Sequence, residues 1–211
     1  MVLDRYRNIA DRFLLPIANH MLNVNPNIVS GIALSFALAA GIAFYVSYMA
    51  HWLLILAVLF TFLNALFDAL DGKIARLTEK SSAKGDFLDH VLDRYADIFI
   101  LGGITLSPYC NELIGLIAIL GVLLLSYMGT QAQAVGCRRE YGGILGRADR
   151  LILLIAVPIA QFLLLVFIPD GKIGLFDIRF TILEYMMMWF AIAGNITAIQ
   201  RIFSTWKKLN S

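Results

Sequence analysis

The sequence predicts an all-α integral membrane protein: six transmembrane helices preceded by an N-terminal amphipathic juxtamembrane helix, in one domain over residues 1–211. Three observations carry that prediction. Sixty per cent of the 211 residues are hydrophobic and only 15% are charged, against roughly 25% charge in a soluble domain. Apolar stretches fall at roughly 28–49, 52–74, 86–106, 112–135, 149–168 and 180–203. At about 1.5 Å per residue each can cross about 30 Å of hydrocarbon. The cations, finally, sit almost entirely in alternate connections. A mean hydropathy of +0.77 excludes disorder. A net charge of +2 is too small to suggest nucleic acid as a partner.

Taken in order, residues 1–20 mix Arg5, Arg7, Asp11 and Arg12 with Ile9, Phe13, Leu14, Leu15 and Ile17. Basic and apolar residues segregate at helical spacing, which predicts a helix lying on the membrane surface rather than a signal peptide. The six spans then fill 28–203 as a bundle with short connections. Within lipid every backbone amide must be satisfied internally, so the spans are helices. Arg5, Arg7 and Arg12 precede span 1. Lys73, Arg76, Lys80, Lys84 and Arg94 flank the span 2–3 connection. Arg138, Arg139, Arg147 and Arg150 fill the next cytoplasmic connection, and Arg201, Lys207 and Lys208 close the chain. The opposite side holds only Lys172 and Arg179. That asymmetry predicts a multi-pass cell-membrane protein with both termini in the cytoplasm. It also places Cys110 and Cys137 on opposite sides, so they do not pair.

Carboxylates interrupt the apolar pattern. Span 2 ends FDALDGKIAR, with Asp68 and Asp71 at i and i+3. Span 3 begins GDFLDHVLDRYAD, with Asp89 and Asp93 at i and i+4. An ionised group at membrane depth costs roughly 2.5–3.5 kcal/mol on insertion scales and is usually functional. Antiparallel helices joined by a short turn bring both pairs to one depth at the cytoplasmic end. Four converging carboxylates cannot all stay ionised without cations. Oxygen ligands suit hard ions such as Mg²⁺ or Mn²⁺, and four could hold two ions in an arrangement suited to in-line attack at phosphorus. Pairing with Lys73, Arg76 and Arg94 would make them ordinary helix charges instead. A cation or proton transporter is the rival from another class, although it would spread carboxylates through the depth of the bundle. Gly72 leaves room for a ligand at the backbone, Arg76 offers a fork to phosphate, and Gly85 permits close helix packing.

Together, Asp68-x₂-Asp71-Gly72-x₂-Ala75-Arg76-x₈-Gly85-x₃-Asp89-x₃-Asp93 resembles, without gap or substitution, the signature of the CDP-alcohol phosphotransferase family. The likeness extends to six spans, the juxtamembrane helix and Asn25-Pro26-Asn27. It implies a homodimer whose protomers bind a CDP-linked lipid at a di-metal site open to cytoplasm and membrane. The hydroxyl of a small polar alcohol attacks the β-phosphorus and CMP leaves. The resemblance makes Asp68, Asp71, Asp89 and Asp93 ligands of two Mg²⁺ or Mn²⁺ ions, and Asp93 also the base. It puts Gly72, Arg76, Ser82, Pro26 and Asn27 at the CDP-lipid site.

The acceptor is read elsewhere. Arg138, Arg139, Arg147 and Arg150 crowd one connection, either for topology and headgroup binding or to hold an acceptor that carries a phosphate. Gly146-Arg147-Ala148-Asp149-Arg150 and Thr197-Ala198-Ile199-Gln200-Arg201 resemble stretches of the family members that use inositol 1-phosphate. Ser126-Tyr127-Met128-Gly129-Thr130-Gln131 departs from their pattern by lacking two cations, and Gln131 and Gln133 could hydrogen-bond hydroxyls instead. Thr130-Gln131-Ala132-Gln133 with the Arg147 stretch is similar to archaeal members that make archaetidylinositol phosphate. The expectation is therefore a pocket of Arg147, Arg150 and Arg201 for inositol phosphate, with glycerol 3-phosphate and serine as the other acceptors.

Overall fold

Among the described residues, long helices form where the apolar stretches lie. The structure, a computed structural model, describes residues 14–80, 82–175 and 178–209. The helices are α1 Pro26–Tyr45, α2 Leu53–Leu77, α3 Ala83–Thr105, α4 Glu112–Ala134, α5 Arg147–Phe167 and α6 Ile182–Leu209. Residues 14–20 are also helical, and Ala18 is buried beside Val29, Leu70 and Ile74 at one end of α1 and α2. Arg5, Arg7, Asp11 and Arg12, on which the surface-helix expectation rests, lie outside the described residues.

Local chemistry sets the helix starts. Asn25 caps α1: its Oδ1 accepts from Asn27 N–H at 3.0 Å, and Pro26 opens the helix where no amide is needed. Ser82 caps α3, accepting from Gly85 N–H at 3.1 Å. Asn111 caps α4 in the same way. Asp149 reaches back to Gly146 N–H at 3.0 Å at the head of α5.

Five helices, all but α3, are long and apolar enough to cross a membrane. At 23 residues α3 has the length, but its charges break the apolar run. The outer surface is apolar. Met49, Phe167 and Phe203 are each 70% exposed or more, an arrangement suited to lipid rather than water. Inside, α1 packs against α2 and α3, α4 packs against α6, and α2 meets α5. The α1–α3 crossing depends on two glycines. A Cβ on Gly41 would lie 2.2 Å from the Phe99 carbonyl oxygen, and one on Gly103 would lie 2.1 Å from that of Gly41. Backbone-to-backbone contact there fixes how far α3 can turn.

A short antiparallel hairpin, Lys172–Leu175 with Ile178–Thr181, joins α5 to α6. The sequence reading did not expect it. Gln161, fully buried in α5, holds it by donating to Gly171 O and accepting from Ile182 N–H, each at 2.8 Å. Cys110 and Cys137 are free thiols at opposite ends of α4, as expected. Burial and the nearby Glu184 carboxylate push the Cys110 thiol up to about 12.

Candidate active site

A cavity of about 1030 Å³ opens among α1, α2, α3 and α5, at the end where α2 stops and the other three begin. It collects residues from distant parts of the sequence. Asp68, Asp71, Gly72 and Arg76 come from the last turns of α2, and Ser82, Gly85, Asp89 and Asp93 from the start of α3. Pro26 and Asn27 enter from the head of α1, and Arg147 and Arg150 from the head of α5. Three helix N-termini therefore border one space. Their dipoles favour a bound anion such as phosphate.

The carboxylates converge as their spacing predicts. Oxygens of Asp68, Asp71 and Asp89 lie within 4.8 Å of one another. Ligand atoms of Asp89, His90 and Asp93 form a second such group. Asp71 is 6% exposed, and its Oδ2 is buried without a hydrogen-bond partner among the described residues. A buried carboxylate oxygen left without a donor is costly unless a cation completes it. The oxygen-rich set fits a hard divalent ion.

The cation nearest these groups is not a sequence neighbour. Arg147 Nη2 donates to Asp93 Oδ1 at 2.8 Å and also binds Asp68 Oδ2. Arg94 lies 3.4 Å from Asp93. Arg150 Nη1 donates to Asp97 at 3.1 Å. Arg76 turns back along its own helix, its Nε donating to Gly72 O at 2.9 Å. Gly72 has no packing reason to be glycine, since a Cβ would meet only Arg76 Nη2, at 3.9 Å. The room beside it belongs to the cavity.

Other expectations change. Among the described residues a Cβ on Gly85 would meet only Ser82 Oγ, at 3.4 Å, so none of the described helices packs closely there. Gln131 and Gln133 are exposed at the end of α4 and do not line the cavity. Arg201 does not join Arg147 and Arg150. It is buried against a second, smaller cavity, and donates from Nε to Gly142 O at 2.9 Å and from Nη1 to Leu125 O at 2.6 Å. Its charge is spent on backbone carbonyls because the 135–146 connection folds over the end of α6. Thr197 Oγ1 holds the same connection, accepting from Ile144 and Leu145 N–H at 3.1 Å each. Together they anchor the strap that leads into Arg147.

Sequence reasoning assigned no task to Asp97 or Arg94, which also line the cavity. Asp97 follows Asp93 by four residues, a spacing that could have placed it on the same face.

Comparisons with known proteins agree with this geometry. Residues 23–197 match the family of CDP-alcohol phosphatidyltransferases. The chain is 30% identical to an archaetidylinositol phosphate synthase of Methanothermobacter thermautotrophicus over 99% of this chain and 96% of that one. It is 31% identical to the Pyrococcus horikoshii enzyme of the same name over 89% and 87%. The crystal structure of Mycobacterium tuberculosis phosphatidylinositol phosphate synthase with CDP-DAG bound superposes with a TM-score of 0.71 at 25% identity, covering 92% of this chain and 94% of that one. A second structure of that protein, in complex with manganese and citrate, gives the same TM-score.

Proposed function

The chain belongs to the CDP-alcohol phosphatidyltransferase family, and on that premise we propose that it transfers a phosphatidyl or archaetidyl group from a CDP-linked lipid to a hydroxyl of inositol 1-phosphate, releasing CMP. The observation that carries this reading is the single cavity. The donor signature lies along α2 and α3, and two cavity-facing arginines, Arg147 and Arg150, lie opposite on α5. The relatives named as archaetidylinositol and phosphatidylinositol phosphate synthases support the acceptor.

Asp68, Asp71, Asp89 and Asp93 would hold two Mg²⁺ or Mn²⁺ ions. Bound there, the ions would neutralise charge on the diphosphate and on the departing CMP. Arg76, Gly72, Ser82 and the Pro26-Asn27 turn receive the CDP end, toward the positive ends of the α1 and α3 dipoles. Arg147 and Arg150 bind the acceptor phosphate with charge-assisted contacts worth about 1.5–3 kcal/mol each. They bring the acceptor hydroxyl toward Asp93, which takes its proton. The hydroxyl oxygen bonds to the β-phosphorus as the bond to CMP breaks. Arg201 serves this pocket indirectly, by holding the strap before α5. The reading includes six membrane spans, cytoplasmic termini and active site, and a homodimer.

The test is a panel of inositol 1-phosphate, free inositol, glycerol 3-phosphate and serine, each offered with a CDP-lipid and Mg²⁺ or Mn²⁺, with CMP release as the readout. Inositol 1-phosphate should be used far better than free inositol, because the arginines need an anion. Serine or free inositol used equally well would overturn the acceptor. Metal-independent CMP release would overturn the metal site.

A further inference from the structure

The reaction proposed above gives no task to two carboxylates that line the cavity, Asp86 and Asp97. Asp97 lies one turn beyond Asp93 on α3 and lines the same space. Its Oδ2 accepts from Arg150 Nη1 at 3.1 Å and lies 3.8 Å from Arg94 Nε. It falls outside the run of residues that forms the donor signature. Arg150 reaches it from α5, and the Arg150 side chain is 8% exposed. Arg150 Nε is buried with no hydrogen-bond partner among the described residues. A guanidinium so enclosed needs a counter-charge, and Asp97 is the carboxylate it has found.

We propose that Asp97 is a positioning residue for the acceptor, holding Arg150 so that the rest of its fork faces the phosphate of the incoming alcohol. This rests on the reading of Arg150 as an acceptor ligand. Two physical arguments support it. A guanidinium carries five N–H donors in a rigid plane, so anchoring one nitrogen sets the direction of the others. Arg94, Arg147 and Arg150 also line one cavity, where Asp97 is the carboxylate that Arg150 binds. Asp93 already faces Arg94 and Arg147, and it is the base. Asp97 thus gives Arg150 a partner of its own and aims it at the acceptor.

The test compares Asp97→Asn, Asp97→Glu, Arg150→Gln and the Asp97→Asn/Arg150→Gln double variant, each as the full chain in detergent. Asp97→Asn should raise the acceptor KM about tenfold or more, the loss of one charge-assisted contact. Donor KM and kcat should stay within about twofold. Asp97→Glu should recover most of the acceptor affinity. The double variant should be no worse than Arg150→Gln, because both changes remove one unit. Donor and acceptor KM rising together, or additive single effects, would overturn the proposal. So would loss of folded protein in both Asp97 variants, which would make the residue structural. If the wild type uses a phosphorylated alcohol but Asp97→Asn leaves its KM unchanged, the role of Asp97 falls and the acceptor reading stands. If the wild type uses no phosphorylated alcohol, both fall.

Discussion

Arg147 Nη2 donates to Asp93 Oδ1 at 2.8 Å, joining side chains 54 positions apart in the sequence. The same nitrogen binds Asp68. A guanidinium thus sits on two carboxylates assigned to divalent ions. If those carboxylates hold metal, the two cations would compete, and an arginine released by metal would be free to receive the acceptor phosphate.

Arg147→Gln should therefore bind Mn²⁺ more tightly than the wild type in the absence of substrate, by about tenfold, the worth of one charged hydrogen bond. Its acceptor KM should rise at the same time. Titration followed by the electron paramagnetic resonance of free Mn²⁺ reads the first effect. Weaker or unchanged Mn²⁺ binding would sink the competition.

Asp71→Asn, Asp68→Asn and Asp89→Asn should each lower CMP release by at least about a hundredfold, as expected when a ligand of a catalytic ion is lost. The proteins should still extract and run as the wild type does on size exclusion. Asp71 is the sharpest case, because its buried Oδ2 has no donor to replace an ion. Wild-type turnover by any of these variants at low metal would remove that residue from the ligand set.

Arg76→Ala should raise donor KM and leave acceptor KM nearly unchanged, since Arg76 lines the cavity beside Gly72 within the proposed donor site. Arg76→Lys should not restore the donor affinity in full, because an ammonium lacks the planar fork. Steady-state kinetics with each substrate varied in turn separates the two.

Gly103→Ala should destabilise the bundle and depress activity together. Its Cβ would lie 2.1 Å from the Gly41 carbonyl oxygen, so α1 and α3 must move apart. Overpacking of this kind costs about 1–3 kcal/mol, and α3 carries Asp89 and Asp93. A melting temperature equal to that of the wild type would show that the crossing is looser than drawn.

Glu140 supplies a pH dependence outside the spans. It accepts from Lys208 and, at 3.0 Å, from Ser204 Oγ, tying the strap to the end of α6. The Lys208 ammonium, above all, holds its carboxyl below the ordinary value of 4.5. Because the folded value is the lower one, this tie contributes fully above 4.5 and is lost as pH falls through the folded value. Glu140→Gln should lower stability at neutral pH and converge with the wild type below the folded value, so that its acid limb is flatter. Thermal unfolding in detergent from about pH 3 to 7 measures it; an unchanged acid limb would exclude the tie.

The helices and the donor side of the site were legible in the sequence because both are local. Apolar runs determine spans when lipid forbids unpaired backbone. Asp68, Asp71, Asp89 and Asp93 lie on two helices joined by a short turn, so i+3 and i+4 spacing alone brings them together. Pro26 and Ser82 came only from the family resemblance, and the structure shows them at helix starts beside the cavity. The acceptor side was not local. Whether Arg147, Arg150 and Arg201 share a pocket depends on how α5 and α6 pack and on where the 135–146 connection folds, and no spacing encodes that. Tertiary structure put Arg147 on Asp93, gave Arg150 to Asp97, and turned Arg201 onto the carbonyls of Gly142 and Leu125. A long arginine takes the nearest acceptor its packing allows, so only the packed bundle decides which one that is.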